Sequence, residues 1–232
     1  MLVYGKNVAR DLLQNNAKIN SIILEDGFND NSILSMIENK DLKVEYKKKQ
    51  EIDNLIDGLH QGIILSIPDY KYHNIDSIYD NNEEVVLILD HIEDPHNFGA
   101  IIRTCEAAGI KSIIVPNDRQ VLVNATVMKT SAGALDSVHI VKVPNINQAI
   151  DELQKNGFWI VGTALDNSVD YREIDYSGKI ALVMGNEGKG ISQLVAKKCD
   201  FLAKIPMFGK TNSLNVSVAT GIMIYEIIRN RK

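Results

Sequence analysis

Cysteine is scarce. Cys105 and Cys199 are the two in 232 residues, far apart, without CxxC spacing or a histidine beside either. That leaves no basis for a disulfide framework or a local thiolate metal site, and both read as small buried hydrophobes. Long apolar runs are missing too, since none reaches the roughly 18 residues of a membrane span. The opening MLVYGKNVARDLL lacks the apolar stretch and small-residue cleavage site of a secretory signal, so the expected compartment is the cytoplasm. A basic excess is also absent. The formal net charge of −5 argues against a broad phosphate-binding surface, which needs Lys and Arg on the contacting face. The charge is unevenly placed, however. Lys40, Lys43, Lys47, Lys48 and Lys49 form one dense basic segment, while Asp80, Glu83 and Glu84 carry acid elsewhere. The segment reads either as a solvated strand end or as a phosphate contact.

What is present suits an ordinary globular chain: 45% hydrophobic and 24% charged residues, enough for one large domain or two modest ones. Residues 1–68 alternate helix and strand. KNVARDLLQNN is amphipathic, SIILE a short strand, NSILSMIE helical, KVEYK alternating, QEIDNLIDGL helical and GIILSI a strand. Residues 69–84, DYKYHNIDSIYDNNEE, are polar and aperiodic after a proline, the pattern of a linker. From residue 85 to 232 apolar strands (VVLILD, SIIVP, VHIVKV, WIVGTAL, KIALVMG, FLAKIPM) alternate with helices, including one around ATVMKTSAGAL and INQAIDELQKNG. Such alternation predicts an α/β fold with a mostly parallel sheet and ligands at the carboxyl ends of its strands. The last helix, about Asn215 to Arg229, is apolar around most of its circumference. It belongs in the core, or is shared between core and a subunit interface.

Three segments at expected strand ends are rich in Gly, Asn, Ser and charge: Leu89 to Gly109, Leu182 to Ser192 and Ile205 to Gly221. The first is a strand, a turn at Pro95 and a helix carrying Asn97 in its first turn and Arg103 further in. Amides at that helix start can hold an anion, though Asn97 also reads as an ordinary cap and Arg103 as a solvated side chain. In the second, Gly185, Gly188 and Gly190 fit neither GxxxxGK[ST] nor GxGxxG, which disfavours a nucleotide triphosphatase and a dinucleotide oxidoreductase. Glycines there still permit close ligand approach, and Glu187 beside them can meet a cationic group.

Taken together the three segments resemble motifs 1, 2 and 3 of the SpoU (TrmH) branch of the SPOUT RNA ribose 2′-O-methyltransferases. Asn97 to Arg103 matches N-x-G-x-x-x-R, Gly185 to Ile191 matches G-x-E-x-x-G-I/M, and Ile205 to Ala219 matches I-P-M-x-G-x-x-x-S-L-N-V-S-V-A. The front domain resembles the L30e-like RNA-binding domain that precedes this catalytic domain in bacterial 23S rRNA guanosine methyltransferases, from YGKNVARDLL and the element order. The resemblance implies a C-terminal trefoil knot, a homodimer through the catalytic domain, and S-adenosylmethionine as cofactor with no metal. It implies that Thr163, Ala164, Gly185, Ile205, Met207 and Leu214 hold the cofactor. It further implies that Asn97, Arg103, Glu187, Ser213 and Asn215 form the catalytic site. A guanidinium with a pKa above about 12 is a poor base. Arg103 is therefore expected to hold RNA phosphate and stabilise a forming alkoxide, the alternative being that it is the base that activates the hydroxyl, the role the resemblance implies.

The expected substrate is structured RNA, a guanosine of 23S rRNA or its precursor particle. A tRNA ribose methyltransferase, an adenosine-directed rRNA resistance enzyme and a catalytically inactive RNA-binding protein are the alternatives. The front domain, and an end at Arg231-Lys232 without a basic extension, point away from tRNA.

Overall fold

The computed structural model describes residues 1–15, 17–40, 42–56, 58–186 and 188–231. Its packing divides the chain into two units, Met1–Lys71 and Tyr72–Lys232. The first unit runs β1 (Leu2–Tyr4), α1 (Lys6–Gln14), β2 (Ser21–Glu25), α2 (Asn31–Glu38), β3 (Val44–Lys47), α3 (Lys49–Asp53) and β4 (Ile63–Ser66). Its sheet has the order β1-β4-β2-β3, with β4 antiparallel to both neighbours and β2 parallel to β3. Ile63, Ile64 and Leu65 are buried in succession, so β4 is covered on both faces. The helices bury residues four apart, Ala9 and Leu13 on α1 and Ile33 and Ile37 on α2, as a single helical stripe requires. Asp30 caps α2 by accepting the Ile33 amide at 3.2 Å and binds Arg10 at 2.7 Å. Partial desolvation raises its pKa, but the Ile33 amide, Arg10 and Lys6 outweigh it and hold Asp30 below the usual carboxylate range.

One expected helix is shorter than its pattern. QEIDNLIDGL is helical only through α3, and its Asp57 lies outside the described residues. Beyond Asn54 the chain turns, and the Gly62 amide donates to His60 Nδ1 at 2.9 Å while His60 Nε2 lies 2.9 Å from Asp53. That local network competes with further helix.

The second unit runs α4 (Asp76–Asp80), β5 (Val85–Asp90), α5 (Pro95–Ala107), β6 (Ser112–Pro116), α6 (Ala125–Ser131), β7 (His139–Val143), α7 (Ile146–Lys155), β8 (Phe158–Thr163), β9 (Val169–Asp170), β10 (Lys179–Gly185), α8 (Gln193–Ala196), β11 (Phe201–Lys204) and α9 (Val216–Arg229). A 7-stranded sheet has the order β7-β6-β5-β10-β8-β11-β9, and every pairing in it is parallel. All of β6, and β5 and β10 except their first residues, are buried, which is why they read as continuous apolar runs. Each fully buried Ile or Leu there contributes about 1.5–3 kcal/mol of transfer free energy.

Two expectations are corrected. Residues 69–84 are not a free tether from Tyr72 onward. The Val123 amide donates to Tyr72 Oη at 2.9 Å, His73 bridges to Val141 on β7, and Ile78 of α4 is wholly buried in the core. A five-residue helix with one buried apolar side chain is too short to leave a readable period. The helix around ATVMKTSAGAL also stops early, at Ser131, because Ala132 and Gly133 take left-handed φ of 51° and 88° before a short 3-10 turn at Ala134–Asp136. No helix among the described residues is long and apolar enough to cross a membrane.

Candidate active site

The carboxyl ends of β8, β10 and β11, with the loop leading into α9, enclose a cleft of about 710 Å³. Thr163, Ala164, Gly185, Ile205, Met207 and Leu214 all line it. These are the six residues expected to hold the cofactor, brought together from three separate strand ends and the segment between β11 and α9. Ser213 lines the same cleft. Strand geometry sets the walls: the Ala164 amide donates to Ala203 O at 3.0 Å, and Thr163 Oγ1 donates to Val183 O at 3.3 Å. At Gly185 the backbone passes so close to the following loop that a Cβ would lie 2.1 Å from the carbonyl carbon of Gly190. Only glycine fits there.

Asn215 caps α9, its Oδ1 accepting the Ser217 amide at 2.9 Å and the Ser217 hydroxyl at 2.6 Å. Its Nδ2 donates to Asn97 Oδ1 at 2.9 Å. The first turns of α5 and α9 are thereby tied together two residues beyond Ser213. Asp94 begins α5 by accepting the Asn97 amide at 2.8 Å, with Pro95 in the first turn, where its missing N–H costs no helical bond. The motif glycine two residues on has a packing cause, because a Cβ on Gly99 would stand 2.5 Å from Thr130 Cβ on α6.

Asn97 and Asn215 adjoin the cleft through this bond without lining it, and Arg103 does not line it either. Arg103 is exposed on α5, with no hydrogen-bond or ion-pair partner among the described residues. Glu187 lies outside the described residues. The structure adds side chains the sequence reading passed over. Lys189, Lys204 and Asp166 line the cleft, and Asp90 and Asn186 bond its glycine loop. Their sequence signal was slight: Asp90 is the acid ending an apolar run, and the others sit beside motif residues. Cys105 is wholly buried and Cys199 partly so; burial first, then Asp200 and Asp90, pushes the Cys199 thiol up to about 12. Among the described residues no cluster of three or more His, Cys, Asp or Glu is placed to hold a metal ion.

The cleft's size falls within the roughly 300–1,000 Å³ of small-molecule sites, and its lining of backbone, small and apolar groups with a few charged tips fits a nucleoside-bearing ligand.

Comparison with known proteins agrees with this geometry. Residues 84–225 match the SpoU rRNA methylase family, and residues 2–73 match the RNA 2′-O ribose methyltransferase substrate-binding family. A Staphylococcus aureus (strain COL) protein, whose name assigns it to the TrmH family of tRNA/rRNA methyltransferases, is 40% identical over 99% of this chain and 96% of its own. The AdoMet-bound rRNA methyltransferase of Sinorhizobium meliloti superposes with a TM-score of 0.71 at 28% identity, covering 98% of this chain and 86% of that one. The A. aeolicus TrmH/SpoU tRNA modifying enzyme superposes with a TM-score of 0.59 at 35% identity, covering 67% of this chain and 81% of that one. With the motif loops gathered at one end of a parallel sheet and the match running nearly end to end, this chain belongs to the SpoU family of RNA 2′-O-ribose methyltransferases.

Proposed function

We propose that this chain transfers the methyl group of S-adenosylmethionine to the ribose 2′-oxygen of a guanosine in 23S rRNA or its precursor particle, as a cytoplasmic homodimer. The observation that carries this reading is the convergence of the six expected cofactor residues and Ser213 on one cleft, beside the Asn97–Asn215 bond. Bound there, S-adenosylmethionine supplies a methyl carbon made electrophilic by its sulfonium. The reaction then asks the protein for alignment of a hydroxyl and for stabilisation of the charge that develops on it. Ser213 and the linked pair Asn97 and Asn215 orient the ribose by hydrogen bonds. Arg103 offers its guanidinium to an RNA phosphate or to the forming alkoxide. In-line attack of this kind needs no metal.

In the first unit Lys40 and Lys43 precede β3, and Lys47, Lys48 and Lys49 span the end of β3 and the start of α3, with Lys47 bound to Glu45 at 2.8 Å. An L30e-like unit presenting those lysines supports RNA phosphate contact there. The trefoil knot is part of the same reading. Its support is that β10 sits between β5 and β8 while the following chain returns through β11 to pack α9 against α5 and β10.

Transfer to tRNA is the second reading, favoured by the 35% identity to the A. aeolicus enzyme over 67% of this chain. The rRNA reading has the S. meliloti likeness over 98% of the chain, front unit included. Incubating the purified protein with labelled S-adenosylmethionine and, in parallel, 23S rRNA, ribosomal precursor particles and tRNA separates them. Label on one guanosine 2′-oxygen of 23S rRNA is the expected result. Label confined to tRNA selects the second reading, and cofactor binding without label on any RNA overturns both.

A further inference from the structure

Asp90, the last residue of β5, is 2% exposed. Its Oδ2 accepts the Ser192 amide at 2.7 Å, and its Oδ1 lies 2.5 Å from His91 Nδ1. Both partners are needed, because a buried carboxylate left unpaired is costly. His91 holds a left-handed φ of 66°, and its carbonyl accepts Asn186 Nδ2 at 2.9 Å. Asn186 Oδ1 accepts the Gly188 amide at 2.9 Å, and the backbones of Asn186 and Gly190 exchange bonds of 3.2 and 2.8 Å. The loop from β10 to α8 is thus fastened to the end of β5 twice, at its start through Asn186 and at its finish through Ser192.

We propose that Asp90 and His91 are positioning residues: they clamp the glycine loop and thereby set the cleft wall formed by Asn186, Gly188, Gly190 and Ile191. The inference rests on the reading of the cleft as the S-adenosylmethionine site. Gly188 and Gly190 give the loop little preference for one backbone shape, so its order is imposed from outside. A loop released from β5 samples several shapes, and a ligand must then bear the entropy of ordering it. Neither clamp residue lines the cleft. Their effect travels through the loop backbone.

Titration calorimetry of the full chain with S-adenosylmethionine, alongside steady-state kinetics, tests this on four variants. Asp90→Ala should weaken cofactor affinity about tenfold, the order expected for losing a hydrogen bond to a charged group. KM for the cofactor should rise in proportion while kcat changes much less. Asp90→Asn keeps an oxygen for the Ser192 amide and should recover most of that loss. His91→Gly retains the positive φ and the carbonyl, whereas the β-branched side chain of His91→Val resists that φ, so Val should bind more weakly than Gly. Unchanged affinity and KM in Asp90→Ala, or a Val variant that binds as well as the Gly variant, overturns the clamp. Should Asp90→Ala fail to fold, the two His91 variants decide alone. Wild-type protein that does not bind S-adenosylmethionine overturns the cleft reading and this inference with it. Wild-type binding matched by every variant overturns the clamp only.

Discussion

Arg103 offers donors and no acceptor, and it stands exposed on α5 without a hydrogen-bond or ion-pair partner among the described residues. In the proposed reading a guanidinium in that position stabilises charge on RNA, and Arg103 does not line the cleft proposed for the cofactor. Arg103→Ala is therefore expected to leave S-adenosylmethionine affinity nearly unchanged and to slow methyl transfer by about 10²–10³-fold, the scale of a lost transition-state contact. Arg103→Lys should restore only part, lacking the planar fork. Single-turnover transfer at saturating RNA checks both, and wild-type rates in the alanine variant would remove Arg103 from the site. At this scale the sequence was readable where a side chain's chemistry is local. Asn97 and Asn215 sit in helix-starting contexts, and Gly185 ends a buried strand. Asp90 and His91 were not readable, since their partners Ser192 and Asn186 are remote in the chain and nothing near them signals the pairing.

Among the elements, α9 carries the plainest unspent surface. Met223, Ile224 and Ile227 are buried in the unit, yet Val218 and Tyr225, seven residues apart on the same helix, are 52% and 54% exposed. This divides the all-round apolar pattern between a core face and an outward face, and an outward apolar stripe is what a subunit interface would cover. If the protein is a homodimer through this helix, Val218→Asp combined with Tyr225→Glu should yield monomers in sedimentation equilibrium while the helix content stays the same. An unchanged mass would place the interface elsewhere. Long, strongly patterned elements such as α7, β5 and β10 were legible from their apolar spacing. β1, β9 and α4 were not, because two to five residues carry too little period, and β1 and β9 form by pairing with strands distant in the chain.

For the whole molecule, acid stability depends on carboxylates held ionised by the fold. Asp170 accepts from Arg172 Nε at 2.8 Å, Nη2 at 2.5 Å and the Arg172 amide at 3.0 Å. That side-chain bond, then the amide, lowers its pKa from 3.8 to about 2. The sign follows directly: a depressed native pKa adds stability above the unfolded value, and this is lost as pH falls from 3.8 towards about 2. Asp170→Asn should therefore flatten the fall in denaturation midpoint across that window relative to wild type, and have little effect on its slope near about pH 6. Identical pH profiles would rule out the linkage.

The sequence by itself determined the types of the long elements and which residue types stand in the three loops, because helical and strand periods, caps and glycine requirements are set within a few residues. Only the tertiary structure decided that β10 lies between β5 and β8, that residues 72–84 pack with the second unit, and that β5 holds the glycine loop at both ends. Backbone hydrogen bonds carry no side-chain code for their partners, so which strands and loops meet is settled by packing of the whole core.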